Sequence, residues 1–132
     1  MGYSVHLTYP VRTQFMKYRF PYWVRILMAY IERFDTNRWF KFNPAVTMSY
    51  VRYIAEQYVP DADIVLVTWW ATALEVGKLS PRKGKKINLI QGFETWEGHT
   101  DLLCASYDMP DTTNVVVASY LRELVSQYTK KK

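Results

Sequence analysis

The spacing of hydrophobic positions changes within the first part of the chain. Residues 3–9 alternate and are rich in β-favouring side chains, and Pro10 ends the pattern, which predicts a strand. Over residues 20–34 the apolar positions recur every three or four residues, which is typical of a helix with one wide apolar face. This stripe consists of Trp23, Ile26, Leu27, Tyr30, Ile31 and Phe34. We expect it to face a core rather than a membrane.

The pattern becomes regular after residue 60. Before that point, residues 45–48 predict a short strand and residues 50–58 have weak helical character. Beyond it, the predicted elements are strand 63–67, helix 68–78, strand 87–90, helix 100–107, strand 114–118 and helix 119–127. The first of these strands is apolar and β-branched after Asp63, as expected when a strand of a parallel sheet is covered on both faces. The Ser119 hydroxyl is expected to cap the last helix.

This alternation of strands and helices is typical of an α/β fold, so we expect a Rossmann-like, mostly parallel sheet flanked by helices. The length of 132 residues suits a single domain, with a basic aromatic segment at 1–60 and a regular part at 61–129. Ligands of such sheets bind beyond the carboxyl ends of the strands. That rule directs attention to residues 68–70, 91–99 and 119–120.

Positive charge is concentrated in the first segment. Residues 1–60 hold eight Lys and Arg against three Asp and Glu, whereas residues 61–132 hold nine against nine, so the formal charge of +5 belongs to the first segment. The same segment holds 15 of the 22 aromatic residues. Basic and aromatic side chains together suit a nucleic-acid surface, a membrane-facing surface or a pocket for an anionic ligand. Composition does not choose among these three.

Several classes of chemistry lack their sequence signature. The chain has no glycine loop of the dinucleotide or P-loop type and no Gly-x-Ser-x-Gly elbow. The single cysteine, Cys104, is expected to be a buried apolar side chain. His6 and His99 lie far apart and no group has metal-ligand spacing, so we expect neither a metal nor a bound cofactor. Without a membrane-length apolar run or a secretory signal, we expect a soluble, cytoplasmic chain.

Residues 91–98 form the most suggestive segment for ligand binding. They follow a predicted buried strand and combine two glycines with amide, carboxylate and indole groups, which recognise sugar hydroxyls and ring faces. His99, beside this segment, is a further candidate for substrate contact. The alternative is a surface loop anchored by Phe93 and Trp96. Trp69 and Trp70 form either a sugar platform or the packing face of a helix.

Four blocks of sequence carry a resemblance to a known family. They are PDADIVLVTWWATA at 60–73, KGKK at 83–86, LIQGFETW at 89–96 and VVASYLREL at 116–124. In this order and spacing they resemble the N-terminal, acceptor-side domain of glycosyltransferase family 4 proteins with the GT-B fold, especially the rhamnosyltransferase-like group. The resemblance implies an incomplete N-terminal domain, because the family's first strand and its donor-binding second domain have no counterpart in these residues.

The resemblance also implies a function. Such proteins transfer a sugar from a nucleotide-sugar donor to a hydroxyl acceptor in polysaccharide or glycan synthesis, and this chain would supply the acceptor side and be inactive alone. The residues that would line the cleft are Thr68, Trp69, Trp70, Gln91, Gly92, Glu94 and Trp96. The acceptor would be a saccharide or a lipid-linked saccharide, with peripheral contact at the inner membrane surface. The resemblance places no catalytic residue.

Two other functions compete with this one. A non-catalytic α/β module would bind nucleic acid or a partner protein through the basic aromatic segment 1–60. A purely structural or assembly domain would bind nothing in its cleft. A sheet that lacks its first strand exposes an edge, so self-association into a homo-oligomer is also expected.

Overall fold

Strands and helices alternate in the computed structural model, which describes residues 2–39, 42–95 and 98–130. The strands are β1 (Val5–Pro10), β2 (Val46–Val51), β3 (Ile64–Val67), β4 (Lys85–Ile90) and β5 (Thr112–Val116). The helices are α1 (Tyr22–Trp39), α2 (Trp70–Val76), α3 (Thr100–Tyr107) and α4 (Ser119–Tyr128), and a 3-10 turn spans Pro81–Lys83. Every strand pairing in the described part of the chain is parallel, which confirms the α/β class with parallel strands.

The chain divides into two compact units, the N-terminal unit Met1–Pro60 and the C-terminal unit Asp61–Lys132. The division falls where the basic aromatic segment ends and the regular part begins. The N-terminal unit contains β1, α1 and β2, and the C-terminal unit contains the remaining elements. Each unit has a small parallel sheet of its own.

In the N-terminal unit, β1 and β2 pair side by side and α1 connects them. The Val11 N–H extends the pairing by donating to the Val51 carbonyl at 2.9 Å. Arg25 of α1 donates from Nε to the Val11 carbonyl at 2.7 Å, and its guanidinium lies 3.9 Å from the centre of the Tyr18 ring. These contacts hold the first turns of α1 beside the carboxyl ends of both strands.

The apolar stripe of α1 is largely exposed. Trp23 is 67% exposed, Leu27 55% and Ile31 61%, while Ala29 is buried. The expectation that the stripe faces a core is therefore wrong for these three residues and for Tyr30, which is 47% exposed. The physical reason is that a two-stranded sheet offers too narrow an apolar face to cover a helix of 18 residues. Phe34, the last residue of the predicted stripe, lies outside the described side chains.

In the C-terminal unit, the strand order is β3-β4-β5. Helix α2 contacts α3, and α3 contacts α4, so the three helices form one layer. Successive right-handed crossovers that move in one direction across a parallel sheet place their helices on the same face. The buried apolar side chains of this unit include Val67, Trp70, Ile90, Leu103, Leu121 and Val125.

The opposite face of this sheet is apolar and exposed. Ile64 is 57% exposed, Leu66 56% and Val115 42%. The expectation that strand 63–67 is covered on both faces is therefore wrong. Because the strand order does not reverse within this unit, its crossovers give no helix to the second face.

Several local expectations also differ from the structure. Strand β4 begins at Lys85, two residues earlier than predicted. Strand β2 continues to Val51, and residues 52–59 form turns and irregular backbone rather than a helix. Strand β5 begins at Thr112, two residues earlier than predicted. Ser119 is the first residue of α4, and Ala118 is the N-cap without a side-chain hydrogen bond, so the predicted cap is wrong.

A buried lysine stabilises the end of α2. Lys86 of β4 is 5% exposed, and its Nζ donates to the carbonyls of Gly77 at 3.1 Å and Leu79 at 2.5 Å. Carbonyls at the end of a helix lack intrahelical donors and carry partial negative charge. The ammonium group therefore satisfies these carbonyls and ties α2 to the centre of the sheet.

Candidate functional site

A cleft lies at the carboxyl edge of the C-terminal sheet. Thr68 follows β3 and Gln91 follows β4, and neighbouring parallel strands end at the same edge of a sheet. The structure brings together five residues predicted for the site, namely Thr68, Trp70, Gln91, Gly92 and Glu94. Tyr107 of α3 also lines this cleft. The cleft therefore lies where β3 and β4 end at the same edge of the sheet.

The interior of this cleft is almost filled by side chains. Its free volume is about 10 Å³, which has room for about one water molecule. Trp70 is 3% exposed, so its indole belongs to the core and does not form an open platform. Thr68 and Gln91 are exposed at the rim. A ligand larger than water therefore meets the rim first.

The Tyr107 hydroxyl is a buried polar group in the wall of this cleft. Tyr107 is 1% exposed, and its hydroxyl has no hydrogen-bond partner among the described residues. Burial raises the pKa of Tyr107 to about 12, and the neighbouring Cys104 and Glu94 add to the shift. The phenol therefore stays protonated at neutral pH and is a hydrogen-bond donor rather than a base.

Two asparagines hold the end of α3 against the sheet through backbone carbonyls. Asn88 and Asn114 face each other in the register of β4 and β5, and Asn88 Nδ2 donates to Asn114 Oδ1 at 3.3 Å. Asn114 Nδ2 donates to the Tyr107 carbonyl at 2.7 Å. Sequence reasoning missed this pair, and the available signal was one amide among the apolar residues of each of the predicted strands 87–90 and 114–118.

The remaining predicted site residues lie beside the cleft or outside the described residues. The Trp69 and Trp70 ring centres are 5.8 Å apart in an edge-on arrangement. His99, the N-cap of α3, lies 5.8 Å from the centre of the Trp70 ring at a tilt of 47°. Trp96 falls outside the described residues. His99 and Trp69 are thus held by packing against Trp70.

Cys104 is not set up as a nucleophile. The cysteine is half-buried, not fully buried as expected. Burial raises the pKa of its thiol, and the carboxylates of Asp101 and Asp108 raise it further. Because the thiolate is the reactive form, this thiol is poorly activated at neutral pH.

A second and larger pocket lies within the N-terminal unit. It has a volume of about 920 Å³ and is formed by the segment between β1 and α1 together with the residues that follow β2. Its walls include Arg12, Arg19, Arg52, Tyr18, Tyr22 and Tyr53. From the basic and aromatic composition of this segment, the sequence left a pocket for an anionic ligand as one of three interpretations, without indicating which residues would form it. The parallel pairing of β1 and β2, which brings the two loops together, is a long-range contact that no local pattern shows.

Neither a cluster of metal-ligating side chains nor a membrane-spanning helix is found in the part of the chain that the structure describes. No group of three or more His, Cys, Asp or Glu side chains is placed to hold a metal ion there. No helix among the described residues is long and apolar enough to cross a lipid bilayer.

Both ring nitrogens of His6 are engaged by hydroxyls, Nδ1 with Thr47 Oγ1 at 2.7 Å and Nε2 with Ser49 Oγ at 2.9 Å.

Comparison with known proteins gives no family for the chain. No protein-family model, no curated protein and no solved structure matches the chain. The comparisons therefore assign no family, and the function rests on the geometry of the two sites and on the sequence resemblance.

Proposed function

We propose that this chain supplies the acceptor side of a glycosyltransferase of the GT-B type, with the cleft beside β3 and β4 taking part in saccharide binding. The observation that carries the proposal is the convergence of Thr68, Gln91 and Glu94 on one sheet edge. Hydroxyl, amide and carboxylate groups hydrogen-bond sugar hydroxyls, and these residues come from two separate stretches of sequence, Thr68 after β3 and Gln91 with Glu94 after β4.

The size of the cleft determines how a saccharide binds in this proposal. Because the interior admits about one water molecule, the sugar lies across the rim, where Thr68 and Gln91 are exposed. The half-buried Trp69 indole offers an apolar surface to a ring face there. The protonated Tyr107 hydroxyl remains in the wall of the cleft.

The sequence resemblance supplies the rest of the proposal. The donor, a nucleotide-sugar, binds a second domain, and sugar transfer needs both domains, so the 132 residues are inactive alone. The acceptor is a saccharide or a lipid-linked saccharide of polysaccharide or glycan synthesis. We place the chain in the cytoplasm, in peripheral contact with the inner membrane surface where such acceptors are found.

Ligand-observed NMR with a panel of oligosaccharides and nucleotide-sugars tests this proposal. We expect saturation transfer to oligosaccharides from the wild-type chain and its loss in Gln91→Ala and Glu94→Gln. Gln127→Ala is the matched control, because Gln127 is an exposed glutamine near the end of α4 and outside the cleft. Circular dichroism shows whether each variant keeps the fold.

Two results would overturn the proposal. One is the absence of any saccharide contact with the wild-type chain at millimolar ligand. The other is saccharide contact of equal strength in Gln91→Ala, Glu94→Gln and Gln127→Ala, which would place the saccharide elsewhere. Binding of a generic oligonucleotide alone, weakened steeply by salt, would favour the nucleic-acid module instead.

A further inference from the structure

The pocket of the N-terminal unit gathers three arginines from two loops. Arg12 and Arg19 belong to the segment between β1 and α1, and Arg52 comes directly after β2. Because β1 and β2 are parallel and in register, both loops leave the sheet at the same edge. This edge is the position at which α/β sheets bind ligands. The saccharide proposal uses none of these residues.

The positive charge of this pocket has no acidic counterpart within it. Its lining contains no Asp or Glu. Among the described residues, the ion pairs involve neither Arg12, Arg19 nor Arg52. The pocket also includes Pro21 and Tyr22 at the start of α1, where the first turn has no acidic residue. The first N–H groups of a helix lack intrahelical acceptors and carry partial positive charge.

Two of the guanidinium groups are held close to one aromatic ring. The Arg12 guanidinium lies 5.8 Å from the centre of the Tyr22 ring, and that of Arg52 lies 5.3 Å from it. Cation–π attraction accounts for each contact separately. The two guanidinium groups carry like charge and contact the same ring, so a bound anion would offset their mutual repulsion.

We propose that this pocket binds a small phosphorylated compound with a planar ring, of the nucleoside diphosphate class. The planar guanidinium group donates two parallel hydrogen bonds to phosphate oxygens, which a compact ammonium group does not do. A volume of about 920 Å³ is far larger than a phosphate group and lies within the range of small-molecule sites. Phe20, which is 46% exposed, and Tyr53 supply aromatic surface in the wall against which the ligand ring packs.

Isothermal titration calorimetry with adenosine diphosphate, adenosine and inorganic pyrophosphate tests this proposal. We expect adenosine diphosphate to bind at least about tenfold more tightly than either of the other two. Arg52→Gln and Arg19→Gln should each weaken its binding about tenfold or more, since each removes a charge-assisted contact. Both side chains are exposed, so neither substitution endangers the fold. Arg122→Gln removes the same charge from the exposed surface of α4 and should change binding less than about twofold.

Several results would overturn this inference. Equal affinity for adenosine and adenosine diphosphate would show that the pocket does not recognise the phosphate groups. Equal affinity for pyrophosphate and adenosine diphosphate would show that it does not recognise the ring. An effect of Arg122→Gln as large as that of Arg52→Gln would show attraction to net charge rather than to the pocket. If the chain binds a single-stranded oligonucleotide but not adenosine diphosphate, the ligand of this pocket is nucleic acid rather than a small molecule. The inference does not depend on the saccharide site, because Gln91→Ala leaves this pocket intact.

Discussion

Gly84 lies between the 3-10 turn and β4 in a backbone conformation that only glycine adopts easily. Its φ is +95°, and a Cβ at this position would lie 2.5 Å from the Ala62 carbonyl oxygen. The close approach lets the Lys85 N–H donate to the Asp63 carbonyl at 2.9 Å and start the pairing of β3 with β4. We expect Gly84→Ala to lower the free energy of unfolding by about 3 kcal/mol, from backbone strain and the clash together.

The matched control for this substitution is Gly92→Ala. A Cβ at Gly92 meets no atom within 4 Å, so the free energy of unfolding should change by less than about 1 kcal/mol. Urea unfolding curves measure both values. Equal denaturation midpoints for the two variants would show that the Gly84 backbone is free to relax.

Asp61 makes the free energy of unfolding depend on pH in the acidic range. Its carboxylate accepts hydrogen bonds from Lys83 Nζ and Arg82 Nη2, both at 2.8 Å, and these contacts hold the pKa of Asp61 below its ordinary value of 3.8. A carboxyl group whose folded pKa is lowered contributes stability above its unfolded pKa and loses it as the pH falls through the folded pKa.

The pH dependence therefore distinguishes wild type from Asp61→Asn. We expect Asp61→Asn to be less stable than wild type at pH 7. The difference should shrink as the pH falls from about 4 through the lowered pKa of the folded state, below which both states bind the proton. Thermal melting from neutral to acidic pH measures the difference. Parallel curves for the two proteins over this range would mean that the ion pairs contribute nothing to folding.

The sheet of the C-terminal unit has one buried face and one exposed face. Replacing a valine by threonine on each face compares their contributions to stability. Val67 of β3 is 8% exposed, whereas Val115 of β5 is 42% exposed. Val67→Thr places a hydroxyl where few partners are available and should cost about 1–3 kcal/mol. Val115→Thr should change stability by less than about 0.5 kcal/mol, because water reaches that side chain and Thr suits a strand. Equal losses in urea unfolding would show that the second face is covered in solution.

The elements were largely predictable from sequence, but their burial was not. Period and turn residues predicted β1, β3 and α3, because these depend on neighbours in the chain. The exposure of Trp23 and Leu66 depends on whether another element covers them, and a hydrophobic pattern shows only that a residue suits burial. The helix predicted over residues 50–58 is wrong because its periodicity is weak: β2 continues to Val51, and residues 52–59 form turns and irregular backbone.

The candidate sites also differ in how far the sequence predicts them. Thr68 and Gln91 were predictable, since each follows a strand and parallel strands end together. Arg12 and Arg52 meet only through the pairing of β1 with β2, which joins distant parts of the chain. The Tyr107 hydroxyl was not predictable, because its burial depends on how α3 packs on β4 and β5.

At the scale of the whole molecule, the chain consists of two units with different charge. The N-terminal unit holds eight basic against three acidic residues, and the C-terminal unit holds nine of each. Each has its own parallel sheet and its own buried residues, such as Val51 and Ile54 in one and Leu103 and Leu121 in the other. Such units commonly open as separate cooperative blocks.

Hydrogen exchange measured by mass spectrometry tests this division, with Gly84→Ala as the perturbation. We expect this variant to exchange its amides faster across β3, β4 and β5, because the lost stability belongs to the sheet that Gly84 helps to form. The amides of β1 and β2 should keep their wild-type rates, because their hydrogen bonds lie within the N-terminal unit. Arg25→Met is the reciprocal perturbation, since it removes the bond from Nε to the Val11 carbonyl and should accelerate exchange only in β1, α1 and β2. Acceleration by a common factor in both units, in either variant, would mean that the chain unfolds as one cooperative block.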